Sequence, residues 1–393
     1  MSSVDALKDA ARLEVERRRD ELVDLSHRIH AAPELGYMER KASRWVAESL
    51  EASGFDVERG VCELPTALSA RSGEGELHVA ICAEYDALPE IGHACGHNVI
   101  AAAAVGAGAA LARVANEAGL TVHVLGTPAE EGGGGKVLML ERGAFDGMHA
   151  ALMIHPTSFD LADPAMIAAE SVTVRYTGKE AHAAFAPHEG INAADALTVA
   201  QVAVGLLRQH ILPTDRIHGI VTKGGEFPNI VPASSEGHYI FRSRTIQELE
   251  RLRPKLFACF EAGAIATGAS VELESLPPYA HVESDPDLAG RYRRNAEALG
   301  RTFVENRDAF PASTDFGNVS LAMPAAHPLI GVESNGAGNH QPGFAAACAT
   351  PSADRAVVDG AIAMAWTAID AALDPDVRRR LLERAAGAPT HAA

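Results

Sequence analysis

Apolar positions recur at near-helical spacing from Ala6 to His30, where Leu13, Leu22, Leu25 and Ile29 are interleaved with Arg and Glu until Pro33 ends the pattern. This predicts an amphipathic helix. A second helix runs from about Glu39 to Ser53 and stops at Gly54, and residues 55 to 68 read as strand material broken by Pro65. The apolar run Leu77 to Ala83 is a strand. Small residues from Asn98 to Ala118 form a helix able to lie close against a sheet. A strand at Thr121 to Leu125, a helix near Lys136 to Arg142 and a strand from His149 to His155 follow. Such alternation predicts an α/β sheet with helices on both faces, in which sites gather at the carboxyl ends of strands.

The texture changes near Glu170. Strand Ser171 to Thr177, helix Asn192 to His210, strands Ile217 to Lys223 and Glu236 to Thr245, helix Gln247 to Gly268 and strand Ser270 to Leu276 give the order βαββαβ, a ferredoxin-like pattern. The expected organisation is a first domain in two parts, residues 1–170 and 281–393, interrupted by an inserted domain at 171–280 that Pro277-Pro278 closes. Helix Asp285 to Leu299 resumes the first domain, Gly331 to Pro342 is a loop holding His340, and Asp354 to Leu373 is the closing helix. The last dozen residues look loose.

A chain of 393 residues fits two domains better than one, and 47% hydrophobic with 22% charged residues is the composition of a soluble globular protein. The net charge of -18 argues against nucleic acid and anionic membranes, whose phosphates require clustered Lys and Arg. No signal peptide or membrane span stands out; Ala101 to Ala112 comes closest and is cut short by Arg113. Five scattered cysteines, Cys62, Cys82, Cys95, Cys259 and Cys348, suit a reducing cytoplasm, with four of them as small core residues.

Cys95 is different because of its neighbours. His93-Ala94-Cys95-Gly96-His97-Asn98 lies just beyond the Leu77 to Ala83 strand, where the long helix begins. Residues two apart point different ways inside a helix, so Cys95 and His97 share a metal only in a loop or first turn. A helix N-terminus or a bound cation lowers a thiol's pKa towards the ligating thiolate. Glu130-Glu131 follow the next strand, and adjacent carboxylates repel unless a cation or a shared proton relieves them. Glu84 and Asp86 form a second acidic motif at a strand end. His155 follows a buried run and needs a hydrogen-bonding partner or a metal, whereas His340 sits in a loop where an exposed imidazole costs little. Spacing leaves both roles open for each histidine.

These residues together resemble the co-catalytic metallohydrolase family that includes carboxypeptidase G, aminoacylase and the hydrolases of indoleacetyl-amino acids and p-aminobenzoyl-glutamate. The match is to the branch with a cysteine in the metal site. It runs through Ala83-Glu84-Tyr85-Asp86-Ala87-Leu88-Pro89, the segment from Gly92 to Asn98, Pro128-Ala129-Glu130-Glu131-Gly132-Gly133, and Ala312 to Ser320. The resemblance implies Cys95, His97, Glu131, His155 and His340 as metal ligands, Glu130 as the general base, and Asp86 as a supporting carboxylate. The inserted domain is then a lid and dimer contact in which His182 stabilises the oxyanion and Asn229 and Arg242 hold the substrate's carboxylate. Glu84 stands where much of the wider family has a histidine ligand, Cys95 where it has a bridging aspartate, and Asn98 where many relatives in this branch have Asp.

The implied activity is metal-dependent hydrolysis of an amide bond in N-acyl or N-aminoacyl amino acids, with one or two divalent ions (zinc, manganese or cobalt) and a homodimer as the working form. A narrow dipeptidase, a non-catalytic metal- or partner-binding protein, and a cysteine hydrolase with Cys95 as nucleophile and His97 as base are the alternatives.

Overall fold

A computed structural model describes residues 3–309 and 311–387. The chain divides into two compact units, one made of Met1–Ala165, Val282–Pro311 and Asp315–Ala393, the other of Met166–His281 with Ala312–Thr314.

The first unit is built on a six-stranded mixed sheet in the order Asp56–Arg59, Leu68–Ser72, Leu120–Gly126, Leu77–Ala83, Ala150–Leu152 and Ala325–Ala326. The first three strands pair antiparallel and the remaining pairings are parallel. Strand Leu77–Ala83 is central and shows why its sequence is apolar at every position but His78. Leu77, Val79 and Ile81 enter one hydrophobic cluster while Ala80 and Cys82 enter another, so alternate residues are buried on opposite faces. Helix His97–Ala112 lies on the first of these faces, buried almost all round. Its small residues permit close approach: a Cβ on Gly108 would stand 2.5 Å from a methyl of Val124 in the sheet.

Four local expectations change. The stretch from Ala6 to His30 is two helices, Ser3–Arg17 and Arg19–Ala31, because Arg18 leaves helical backbone at φ -92°, ψ 3°. The run from His149 to His155 is two strands: Ala150–Leu152 joins the central sheet, while His155–Thr157 pairs with Leu329–Gly331 in a separate ribbon. His155 therefore starts a strand rather than ending one. The tail expected to be loose contains much of helix Pro375–Gly387, and residues 388–393 lie outside the described residues. Among the described residues Pro351–Leu373, not Ala101 to Ala112, is the helix long and apolar enough to cross a membrane, but it is largely buried, packed against helices Ser3–Arg17 and His97–Ala112.

The second unit has strands Ala168–Thr177, Arg216–Lys223, Ser234–Ser243 and Ser270–Ser275 in one antiparallel sheet, with helices Ala193–Leu207 and Ile246–Thr267 packed on it. The spatial order runs from Ser270–Ser275 through Ala168–Thr177 and Ser234–Ser243 to Arg216–Lys223 at the edge. All five cysteines are free. Only Cys82 and Cys348 are core residues in the expected sense, since Cys62, at φ 57°, and Cys259 are part-exposed.

Candidate metal centre

Carboxyl ends of neighbouring strands bring the acidic motifs together. Glu84 and Asp86 follow strand Leu77–Ala83, and Glu130 and Glu131 follow its parallel neighbour Leu120–Gly126. Between them His97 opens its long helix, with Cys95 two residues earlier. The loop after Leu329–Gly331 brings His340 back to the same place, its N–H donating to the carbonyl of Ala94 (3.0 Å) at φ 65°.

The side chains converge in three donor groups, each with its atoms within 4.8 Å of one another: Cys95, His97 and His155; Cys95, Glu131 and His340; and Glu84, His97 and Glu130. The first two share Cys95, whose Sγ is 3.0 Å from His340 Nε2. His340 Nε2 is also 3.5 Å from Glu131.

The tautomers fit a metal. His97 Nδ1 donates to Asp86 Oδ1 (3.0 Å) and His155 Nδ1 donates to the carbonyl of Pro156 (2.9 Å), which leaves Nε2 as the lone-pair atom of both rings. His97 Nε2 is fully buried and makes no hydrogen bond among the described residues, though Glu84, Glu130 and Glu131 oxygens lie 3.4, 3.7 and 3.9 Å away. A lone pair facing three carboxylates without an intervening cation is repulsive. Asp86 also accepts from the N–H of Glu131 (2.9 Å), so one carboxylate fixes a histidine tautomer and the acidic turn together.

Charge states follow the same logic. Burial, then Glu131 and Glu130, push the Cys95 thiol well up, reversing the lowering expected from the helix N-terminus. Without a cation it stays a thiol, which counts against the cysteine-nucleophile alternative. Burial works against a charged His97, but Asp86, Glu84 and Glu131 outweigh it and raise the ring well above its ordinary value. Burial, Glu84 and Glu131 lift Glu130 well above the usual carboxylate range. A divalent cation would reverse the pressure on the thiol and on His97.

The motif's other residues are structural. His93 Nε2 is 3.1 Å from the Ile29 carbonyl, outside the donor groups. Asn98 donates to Ser26 Oγ and to the Cys348 carbonyl, both at 2.8 Å. An ionised aspartate could accept from the Ser26 hydroxyl but could not donate to the Cys348 carbonyl, which accounts for the amide here.

Sequence reasoning missed three buried groups around the glutamates. Lys136, fully buried, places Nζ 2.5 Å from both Glu84 Oε1 and Asp315 Oδ1. Its only signal was that it is the single charge in the stretch from Gly132 to Leu140. Glu39 accepts from the N–H of Ala129 (2.8 Å) and from Thr66 Oγ1 (2.7 Å), holding Ala129 at φ 56° just before the Glu130-Glu131 pair. His327, buried between Phe316 and His155, makes no hydrogen bond from either ring nitrogen among the described residues.

The lid candidates belong to the second unit. His182 Nδ1 accepts from the N–H groups of Phe185 (3.1 Å) and Ala184 (3.3 Å), so the ring carries its proton on Nε2. The Asn229 carbonyl accepts from Ala183, tying its loop to that of His182. Arg242 donates to Ser313 Oγ (2.7 Å).

Comparison with known proteins agrees with this architecture. Residues 80–354 match the model of peptidase family M20/M25/M40. A mouse Xaa-Arg dipeptidase is 39% identical over 95% of this chain and 91% of its own length. One of the subunits of an Escherichia coli p-aminobenzoyl-glutamate hydrolase is 33% identical over 66% of this chain and 58% of its own. The crystal structure of a Bacillus subtilis protein described as a dinuclear metal-binding peptidase of family M20 superposes with a TM-score of 0.67 at 21% identity, covering 90% of this chain and 98% of that one. At that identity the likeness is one of fold. With more than half the chain inside the family model and a relative this similar along nearly its whole length, the chain belongs to peptidase family M20/M25/M40, a family of metal-dependent peptidases and amide hydrolases.

Proposed function

We propose that the protein hydrolyses the amide bond of dipeptides and related N-acyl amino acids, using two divalent ions that share Cys95. The observation that carries the reading is a buried carboxylate, Glu130, poised beside two donor groups with a common thiol. Cys95, His97 and His155 would hold one ion, and Cys95, Glu131 and His340 the other. Zinc suits the Cys, His and Glu mixture, while manganese and cobalt accept the same carboxylates and imidazoles.

When bound, the ions polarise the scissile carbonyl and lower the pKa of the attacking water. Glu130 takes the water's proton and carries it to the leaving amine, the neighbouring cations favouring the ionised form that can act as base. Asp86 keeps His97 in the ligating tautomer. His182, with its proton on Nε2, donates to the developing oxyanion, and Asn229 and Arg242 take the substrate's carboxylate.

Xaa-Arg dipeptidases are among the relatives similar along nearly the whole chain, and a net charge of -18 draws a cationic substrate towards the protein, so dipeptides ending in Arg or Lys are the first to try. A homodimer through the second unit is part of the proposal. It is supported by the edge strand Arg216–Lys223, with Ile220 64% exposed, and by Leu206 at 70% on the neighbouring helix. So is a reducing cytoplasm, supported by five free cysteines.

The test is a panel of dipeptides ending in Arg, Lys, Glu and Leu, N-acetyl amino acids and p-aminobenzoyl-glutamate, assayed on chelator-stripped protein with each metal. Turnover of at least one class, lost with chelator, is expected; cleavage of none sinks the proposal. Glu130→Gln should lower kcat about 10³-fold while leaving metal content unchanged, and a variant of full activity refutes the assignment of the base.

A further inference from the structure

We propose that Lys136 is a built-in cation of the metal centre, which keeps Glu84 and Asp315 out of the ligand set and limits the centre to the two ions sharing Cys95. The inference rests on the metallohydrolase reading above and adds what sets the ion number.

The third donor group, Glu84, His97 and Glu130, is as buried and as compact as the first. By proximity alone it would accept a cation of its own. Two observations remove it. His97 has one lone pair to give, because Nδ1 is committed to Asp86, and an ion held with Cys95 and His155 uses that lone pair. The third group then offers two carboxylates and no nitrogen.

Of those two, Glu84 already has a cation. The Lys136 ammonium sits 2.5 Å from its Oε1 with no exposed surface on either side chain. Lys136 cannot swing away, because Asp315 grips both its ends: Oδ1 takes Nζ at 2.5 Å and Oδ2 takes the backbone N–H at 2.8 Å. A divalent ion on Glu84 would lie next to this fixed positive charge, away from water that could screen it. The lysine thus supplies the charge balance that an additional metal would otherwise bring. It is a positioning residue: it touches carboxylates, and nothing places it on the substrate.

Metal content per chain tests this without using activity. The full-length protein is stripped with chelator, reloaded separately with manganese and with zinc, desalted, and its metal measured by inductively coupled plasma mass spectrometry. Wild type is expected to hold two ions. Glu84→Gln, which leaves Lys136 paired with Asp315 and so keeps the buried charges balanced, is expected to hold two as well. Lys136→Met, which frees both carboxylates, is expected to hold three. One ion in Glu84→Gln makes Glu84 a ligand and overturns the inference, as does a folded Lys136→Met that still holds two. If Lys136→Met does not fold, Glu84→Gln decides alone. A wild-type chain that takes up no ion fails the metallohydrolase reading itself, and this inference with it.

Discussion

Glu39 offers a test of how the fold holds the acidic turn. Its side chain is fully buried and accepts from Ala129 N–H and Thr66 Oγ1. Burial first, and then the nearby charge of Asp86, raise its carboxyl from the ordinary 4.5 to about 7. A raised carboxyl is stabilising while it can stay protonated. That contribution is therefore complete below pH 4.5 and is lost as pH rises through about 7. A shift of this size costs the native state about 2–3 kcal/mol more at pH 9 than at pH 5.

Glutamine has the same shape, and its amide oxygen can take Ala129 N–H while its NH₂ donates to Thr66. It has no charge to bury. Glu39→Gln should thus match or fall slightly below wild type at pH 5, gain on it up to about pH 7 and keep that advantage to pH 9. Urea unfolding of chelator-stripped protein is the assay, followed by tryptophan fluorescence, because Trp45 and Trp366 are the chain's only tryptophans and both lie in the same unit as Glu39. A difference between the two proteins that does not change with pH would refute the argument.

Two further outcomes follow from other parts of the first unit. His78, His123 and His149 cluster away from the metal centre, with His78 Nδ1 3.2 Å from His123 Nε2, and burial lowers all three, His123 to about 4. Stability from these neutral rings is complete above pH 6.5 and lost as pH falls towards 4, so His123→Phe should remove about 2 kcal/mol of acid sensitivity at pH 5 in the same urea assay. An unchanged slope would contradict it. Gly135→Ala would place a Cβ 1.8 Å from the Pro128 carbonyl, which forces the turn carrying Glu130 to move; kcat should fall at least about tenfold, and wild-type kinetics would show that the turn is not held as described.

Much of the fold was legible in the chain itself. The run Leu77 to Ala83 reads as a strand buried on both faces, because it is short and apolar at every position but His78, its one part-exposed residue. The βαββαβ order of the second unit could be read for a related reason, since a period of two alternates with a period near 3.6. Boundaries were less legible: Arg18 and the break between Leu152 and His155 depend on where the chain must turn to pack, and local pattern carries no such information.

Of the site, spacing by itself could determine only what is local, a thiol and an imidazole two residues apart and paired carboxylates after a strand, while the remote ligands His155 and His340 were implied only by the family resemblance. Spacing could not separate the jobs of Glu130 and Glu131. Only the tertiary structure decided that His340 meets Cys95 across 245 residues, and that Asp315 meets Lys136 across 179. The physical reason is that a charge's role depends on what else is buried with it. Lys136 in solvent would be an ordinary lysine; closed between Glu84 and Asp315, it becomes part of the centre's charge balance.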